Sequence, residues 1–250
     1  MKKIWITGAS SGIGKALAIK FSSEGWKVAA SARRENLLQE LNKDNPKIHS
    51  FPLDVTDGSL CKKVFNNIVE KFQIIDICVF CTGIHDPQSE KKISEEKIRE
   101  IMEVNFFGTL NCIMAVNIYF REKQSGHISI VSSVAGYRGF PAASGYCASK
   151  AALTSLAESL YFDFKRYNVR VSLISPGFIK TPMTDKNKFP MPMIKSAEYA
   201  AEKMFVGLTK QNVFEIHFPK TLTMIMKLLK IIPNWLFFLI VGRGIKKIKL

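Results

Sequence analysis

Seven short apolar runs alternate with longer helical stretches along this chain, and that alternation restricts the fold more than any other feature. "KKIWIT" precedes a helical pattern over 13–24, "WKVAAS" one over 34–44, and "IHSFPLD" one over 57–72. "IDICVFC" precedes a long helical pattern over 95–123, "GHISIVSS" one over 144–167, "VRVSLIS" one over 196–209, and "NVFEIHF" closes the series. Strands alternating with helices imply a parallel sheet covered on both faces and joined by right-handed crossovers. The expected class is α/β, a doubly wound parallel sheet in a single domain, since no linker or low-complexity run divides the chain. At 250 residues it is long enough to bury a substantial core.

In open sheets of this kind ligands bind beyond the carboxyl ends of the strands, so chemistry-bearing residues belong just after each apolar run. After the first run stands "TGASSGIG", with Gly8, Ser10, Ser11, Gly12, Ile13 and Gly14 opening the first helix. Glycines permit the tight turn and let backbone amides approach a pyrophosphate at the helix N-terminus. A dinucleotide cofactor is the expected ligand. After the second run a site selecting NAD would place an acid for the ribose hydroxyl. Here the chain reads Ser31-Ala32-Arg33-Arg34. Two guanidinium groups and no carboxylate suit an adenosine 2'-phosphate, so NADP(H) is favoured over NAD(H), with Arg33 the better placed because it comes first. The competing reading is a solvated charge pair at a helix start.

Composition narrows the function classes. The five cysteines are an odd number with no secretion pattern, so a disulfide framework is not expected and a reducing cytoplasm is. Cys78 and Cys81 form a C-x-x-C inside an apolar strand pattern with no second cysteine or histidine pair, so structural thiols are expected and no metal site. Two lysines and three apolar residues before Thr7 are too short for a signal peptide, and the N-terminus is expected to belong to the fold. Of the net charge of +15, seven positive charges lie from Lys220 onward with no acid among them.

"SGYCASKAAL" places Tyr146 and Lys150 four residues apart on one helix face. A free phenol holds its proton about three units too tightly for exchange at neutral pH. A nearby ammonium favours the phenolate and eases that exchange. Each residue alone has a structural reading, a packed tyrosine and a solvated lysine.

Taken together, these motifs resemble those of the short-chain dehydrogenase/reductase family, over roughly residues 3–217 and in the family's order. The resemblance implies a Rossmann-like fold and NAD(P)-dependent chemistry at CH–OH groups. "TGASSGIG" resembles the cofactor loop, and "LDV" carries Asp54, which in relatives contacts the adenine, and Val55. "VNFFG" carries Asn105, and "IVSSVAG" carries Ser133, thirteen residues before Tyr146. "SPGFIKT", with Pro176, Gly177, Ile179 and Thr181, resembles the segment that closes over the nicotinamide. By this resemblance Tyr146 exchanges the proton, Lys150 tunes it and binds the nicotinamide ribose, Ser133 hydrogen-bonds the substrate oxygen, and Asn105 helps to hold a water linked to Lys150. One departure is clear: many relatives have Asn-Asn-Ala-Gly after the fourth strand, whereas this chain has Phe80-Cys81-Thr82-Gly83, and only the glycine, which permits close backbone approach, survives.

Residues 181–194, rich in Met, Phe and Pro, read either as an apolar lid over a hydrophobic substrate or as an ordinary surface loop. Residues 1–218 are expected to form the catalytic domain and 219–250 a hydrophobic, basic extension that is not independent. Its apolar stretches fall short of the roughly 20 residues needed to span a bilayer. Two short helices broken at Pro233 are expected, with Trp235 and the terminal lysines at an anionic membrane interface, or else with the extension packed on a partner subunit or its own cleft. The leading function is an NADP(H)-dependent oxidoreductase acting on a small carbonyl or secondary alcohol, expected to be apolar, in a cytoplasmic enzyme that is peripheral on the cytoplasmic face of a membrane where the extension takes the first of these options. Alternatives are a 3-oxoacyl carrier-protein reductase and a non-catalytic dinucleotide-sensing protein. Nucleic acid is disfavoured because no such motif accompanies the charge. A homodimer or homotetramer is implied by the resemblance.

Overall fold

The sheet is built from residues whose alternate side chains belong to two different cores. Ile4 and Ile6 of β1 (Lys3–Thr7) enter one core and Trp5 the other. Val28 and Ala30 of β2 (Lys27–Ser31) divide from Ala29 in the same way, as do Ile77 and Val79 of β4 (Ile77–Phe80) from Cys78 and Phe80. A strand buried on both faces reads as a near-continuous apolar run because its period-2 alternation has no solvent side. The structure, a computed structural model, describes residues 1–87, 92–187 and 189–248, with side chains up to Arg243.

The remaining strands are β3 (Ile48–Ser50), β5 (Gly126–Val131), β6 (Val169–Pro176) and β7 (Glu215–Phe218). All seven pair in parallel in the order β3-β2-β1-β4-β5-β6-β7. The chain therefore winds outward from β1 in one direction and returns to start again on its other side, and β1 pairs with both β2 and β4. That reversal leaves a crevice at the carboxyl ends of β1 and β4, the place where such sheets bind ligands.

Helices α1 (Gly12–Ser23), α2 (Glu35–Asp44) and α7 (Ala197–Lys210) supply one core, with Phe21 of α1 set edge-on against Phe205 of α7 at 5.0 Å. Helices α3 (Gly58–Phe72), α5 (Gly108–Lys123) and α6 (Ser144–Lys165) supply the other. No disulfide joins the five cysteines and four of them are buried; burial pushes the Cys81 thiol up to about 11, which disfavours its reactive thiolate.

The long helix expected over 95–123 is interrupted. It runs as α4 (Glu95–Met102), a π-helical turn over Glu103–Phe107, and then α5. The extra residue in that turn coincides with the buried Asn105, and a Cβ at Gly108 would lie 2.5 Å from a Val55 methyl, so helix and cofactor-side loop meet without room for a side chain. The expected break at Pro233 is present: α8 (Lys220–Ile231) and α9 (Asn234–Ile248) flank it, although the side chains of Lys246 and Lys247, and all of Lys249, lie outside the described residues.

Candidate active site

The turn from β1 into α1 is shaped by steric exclusion. Gly8 and Gly12 have φ of +69° and +54°, a region that favours glycine. A Cβ at Gly14 would stand 2.3 Å from the Gly8 carbonyl oxygen, and one at Gly12 would stand 3.1 Å from a Thr181 methyl. The loop is thus closed beneath by Gly14 and covered from above by the segment after β6. Ser11, the residue preceding α1, makes no side-chain bond to the helix, so the first-turn amides have no side-chain cap. An uncapped helix start beside a glycine-rich loop fits a pyrophosphate, both in space and in charge.

Arg34 organises the other side of that loop. Its guanidinium donates to Ser10 Oγ at 2.9 Å and to Ser11 Oγ at 2.8 Å, so both hydroxyls of the loop are engaged away from the helix start. Arg33 and Arg34 both line the crevice, and it is Arg34, the second in sequence, that bonds to the glycine loop. Asp54 lines the same wall at the end of the β3 connection, its Oδ1 accepting from the Thr56 amide at 3.0 Å and hydroxyl at 2.8 Å.

The crevice encloses about 400 Å³ and continues past Gly83 to the ends of β5 and β6. The six glycine-loop residues named from sequence, with Arg33, Asp54, Val55 and Gly83, line it on one side. Pro176, Gly177, Ile179 and Thr181 line the other, together with Ser133, Tyr146 and Lys150. α6 presents Tyr146 and Lys150 one turn apart, with Lys150 Nζ 5.7 Å from the centre of the Tyr146 ring. Lys150 is buried and donates to the Val131 carbonyl oxygen at 3.0 Å, and burial lowers its pKa to about 8. Ser133, in extended backbone after β5, accepts from the Ala135 amide at 3.1 Å. A phenol, an ammonium and a hydroxyl around one cavity can hydrogen-bond an oxygen that gains charge and then protonate it.

Asn105 does not line the crevice but lies fully buried beneath it. Its Oδ1 accepts from the Ile84 amide at 2.7 Å, and its Nδ2 donates to the Ile84 carbonyl at 3.0 Å and to Ser149 Oγ at 3.0 Å. The amide therefore ties the loop after β4 to α6, and it places the next residue, His85, over the tyrosine. The His85 and Tyr146 rings stack with centroids 4.3 Å apart and planes 31° from parallel. His85 was not singled out from the sequence; its position two residues beyond Gly83, past a strand end, was the available signal.

The lid-like segment is pinned at both ends by the bridge between Ile179 and Lys195, with Lys180 N–H donating to the Lys195 carbonyl at 2.8 Å. Pro182, Met183 and Thr184 from it line the crevice. Among the described residues no group of His, Cys, Asp and Glu is placed to hold a metal ion.

The family model described as short chain dehydrogenase matches residues 2–192. An uncharacterized oxidoreductase of Myxococcus xanthus is 34% identical over 93% of this chain and 93% of its own length. A 3-oxoacyl-acyl-carrier-protein reductase of Thermotoga maritima is 36% identical over 72% of this chain and 75% of its own. A short-chain dehydrogenase from Streptomyces avermitilis has the same fold, with a TM-score of 0.82 at 24% identity, covering 97% of this chain and 98% of that one. The glycine cradle, the crevice at the strand reversal and these relatives agree: the chain belongs to the short-chain dehydrogenase/reductase family and is an NAD(P)-dependent oxidoreductase.

Proposed function

We propose that this enzyme is NADP(H)-dependent and interconverts a carbonyl and a secondary alcohol on an apolar, lipid-like substrate. The observation that carries the reading is the convergence of Ser133, Tyr146 and Lys150 on the cavity that the glycine cradle opens into. When bound, the nicotinamide supplies hydride for reduction or takes it up in oxidation.

The chain's own groups do the rest. Tyr146 gives its hydroxyl proton to the substrate oxygen in reduction and takes it back in oxidation. Lys150, below its pKa of about 8, places a positive charge 5.7 Å from the ring centre, which stabilises the phenolate left behind. One of its three N–H groups goes to Val131, and the other two are free to hold ribose hydroxyls. Ser133 Oγ accepts from Ala135, so its own proton is available to the substrate oxygen. Asn105 is a positioning residue that holds the Ile84 backbone and α6 in register.

The preference for NADP(H) rests on Arg34, held over the loop by Ser10 and Ser11, with Arg33 beside it and no acid at the end of β2. An apolar substrate is supported by Pro182 and Met183 in the lining and by Phe178 beside Phe189 at 6.1 Å in the flanking segment. Pairing into a homodimer or homotetramer is supported by Met114 and Ile118 on α5 and Phe162 on α6, all more than half exposed. The absence of disulfides among the five cysteines fits a cytoplasmic enzyme, and the extension over 221–250 is its membrane-attaching part.

The test is an NADPH-oxidation screen over carbonyl compounds of graded chain length and polarity, with Tyr146→Phe as control. Turnover rising with chain length, and lost in the variant while NADPH still binds, is the expected result. Substantial turnover by Tyr146→Phe refutes the assignment. The resemblance to the Thermotoga reductase favours a second reading, a 3-oxoacyl carrier-protein reductase, and activity confined to carrier-bound substrates would select it.

A further inference from the structure

The two helices after β7 present different chemistry on their two sides. Inward, Leu222 and Met226 of α8 pack with Val134 and Tyr137, the residues that follow Ser133, and with Phe178. A Cβ at Gly177 would lie 2.6 Å from Leu222, so α8 closes directly on the segment lining the crevice. The turn between the helices is fastened as well. Arg138 donates to the Ile232 carbonyl at 3.3 Å, and its guanidinium carbon sits 4.3 Å from the centre of the Phe237 ring. Lys227 pairs with Glu215 at 2.6 Å, and that carboxylate also accepts from Ser175 at 2.7 Å and from Tyr137. The helix pair is thus a built wall beside the substrate end of the site.

Outward, α8 exposes Met224, Ile225, Leu228 and Ile231, spaced to form one stripe, and Ile231 is 77% exposed. On α9, Trp235 and Phe238 follow at 68% and 66%. Lys220, Lys230 and Arg243 are exposed on the same two helices, and residues 220–250 contain no acid. With 12 and 15 residues, the helices are shorter than the roughly 20 needed to cross a bilayer. The one described helical run long and apolar enough to cross, Glu95–Lys123, has its inner side in the second core.

We propose that the outer face of the α8–α9 pair docks on an anionic lipid surface, so that the apolar substrate passes from the bilayer into the crevice beside Phe178 and Met183. Charge selects lipid over a second copy of this chain: a helix pair with exposed Lys220, Lys230 and Arg243 and no acid of its own repels its own copy and attracts anionic headgroups. Self-association has another apolar layer on α5 and α6. An amphipathic pair with an exposed tryptophan at one helix start is suited to the interface between headgroups and acyl chains. The proposal rests on the apolar-substrate reading for what is delivered, and on the exposed face alone for where the protein sits.

The experiment uses the full chain with vesicles of phosphatidylcholine alone or with a quarter phosphatidylglycerol, read by co-sedimentation and tryptophan emission. Binding is expected to be about tenfold tighter to the anionic vesicles, to weaken with salt, and to fall about tenfold in Lys230→Glu/Arg243→Glu. Trp235→Glu/Phe238→Glu is expected to stay in the supernatant, to keep full turnover of a short water-soluble ketone, and to lose most turnover of a long-chain ketone presented in vesicles. A full chain that stays in solution with anionic vesicles overturns the proposal. So does a Trp235→Glu/Phe238→Glu variant that binds vesicles normally but dissociates into monomers, which assigns the face to a second copy. Failure of the wild type on every soluble ketone would count against the reaction and leave the vesicle result to stand or fall by itself.

Discussion

Lys150 donates a 3.0 Å hydrogen bond from its buried ammonium to the backbone carbonyl of Val131. Burial opposes the charge and lowers its pKa to about 8, while the neighbouring Cys81 acts weakly the other way. An unfolded lysine titrates near 10.4, so between about pH 8 and 10.4 the unfolded chain binds more protons than the native one. Stability therefore rises with pH across that window, and below pH 8 the full cost of the buried charge is present. Lys150→Met should raise stability at pH 7 by about 1 to 2 kcal/mol, the charge cost less the lost hydrogen bond, with the gain shrinking above pH 8. Turnover in the same variant should fall by at least about a hundredfold. In the wild type, kcat/KM for reduction should decline above about pH 8 as the ammonium is lost. Calorimetry and a pH–rate profile check both; a variant less stable at pH 7 than the wild type would contradict the argument.

Arg34 differs from Arg33 in being held. Its two bonds to Ser10 and Ser11 fix the guanidinium at the edge of the cradle, and on the proposed NADP(H) reading it would be a preorganised partner for the 2'-phosphate. Arg34→Ala should weaken NADPH binding about tenfold and leave NADH within about twofold, because only NADPH carries the extra phosphate. Arg33→Ala should have the smaller effect of the two. Fluorescence titrations with both nucleotides decide this, and equal losses for NADPH and NADH would assign Arg34 to loop stability instead.

The stacked pair of His85 and Tyr146 predicts a division between shape and polarity. If the imidazole serves to hold the phenol ring in place, His85→Phe should retain kcat within about threefold, while His85→Ala should lose about tenfold. The KM for NADPH should be unchanged in both, since His85 is not part of the cradle. A His85→Phe variant as slow as His85→Ala would show that the ring nitrogens, not the stacking, matter.

The layout of strands and the site carried by local spacing were legible because local rules determine them. Period-2 burial made each strand an apolar run, Gly8 and Gly14 stand where a Cβ would strike backbone, and a four-residue step places Tyr146 and Lys150 on one helix face. What escaped depends on contacts distant in sequence. Asn105 bonds to Ile84 and Ser149, 21 and 44 residues away, and no pattern around "VNFFG" announces the π-helical turn that aims it there. Arg33 and Arg34 are adjacent and chemically alike, so only the folded position of the glycine loop separates them. For the extension, the break at Pro233 was readable, but the choice of face was not, because Leu222 and Met226 differ from Met224 and Ile225 only in what lies opposite them.

Glu215 shows what such distant contacts are worth. Its carboxylate gathers Ser175 from β6, Tyr137 from beyond Ser133 and Lys227 from α8, so one side chain joins the extension to the catalytic wall. Burial pushes its pKa up, but the Lys227 ammonium and the Tyr137 and Ser175 hydroxyls outweigh that, and the carboxyl sits below its usual value. A depressed carboxyl contributes stability above the unfolded pKa of about 4.3 and loses it as pH falls through the native value. Glu215→Gln should destabilise by about 2 kcal/mol, since it leaves a half-buried ammonium without its partner. Lys227→Met should cost less, about 1 kcal/mol, because the carboxylate keeps two hydroxyl donors and the methionine stem still covers the wall. Both should speed proteolytic cutting within 219–233, Glu215→Gln more. Denaturant melts and timed proteolysis test the order, and a larger loss for Lys227→Met would mean that the ion pair, not the hydroxyl cluster, holds the extension in place.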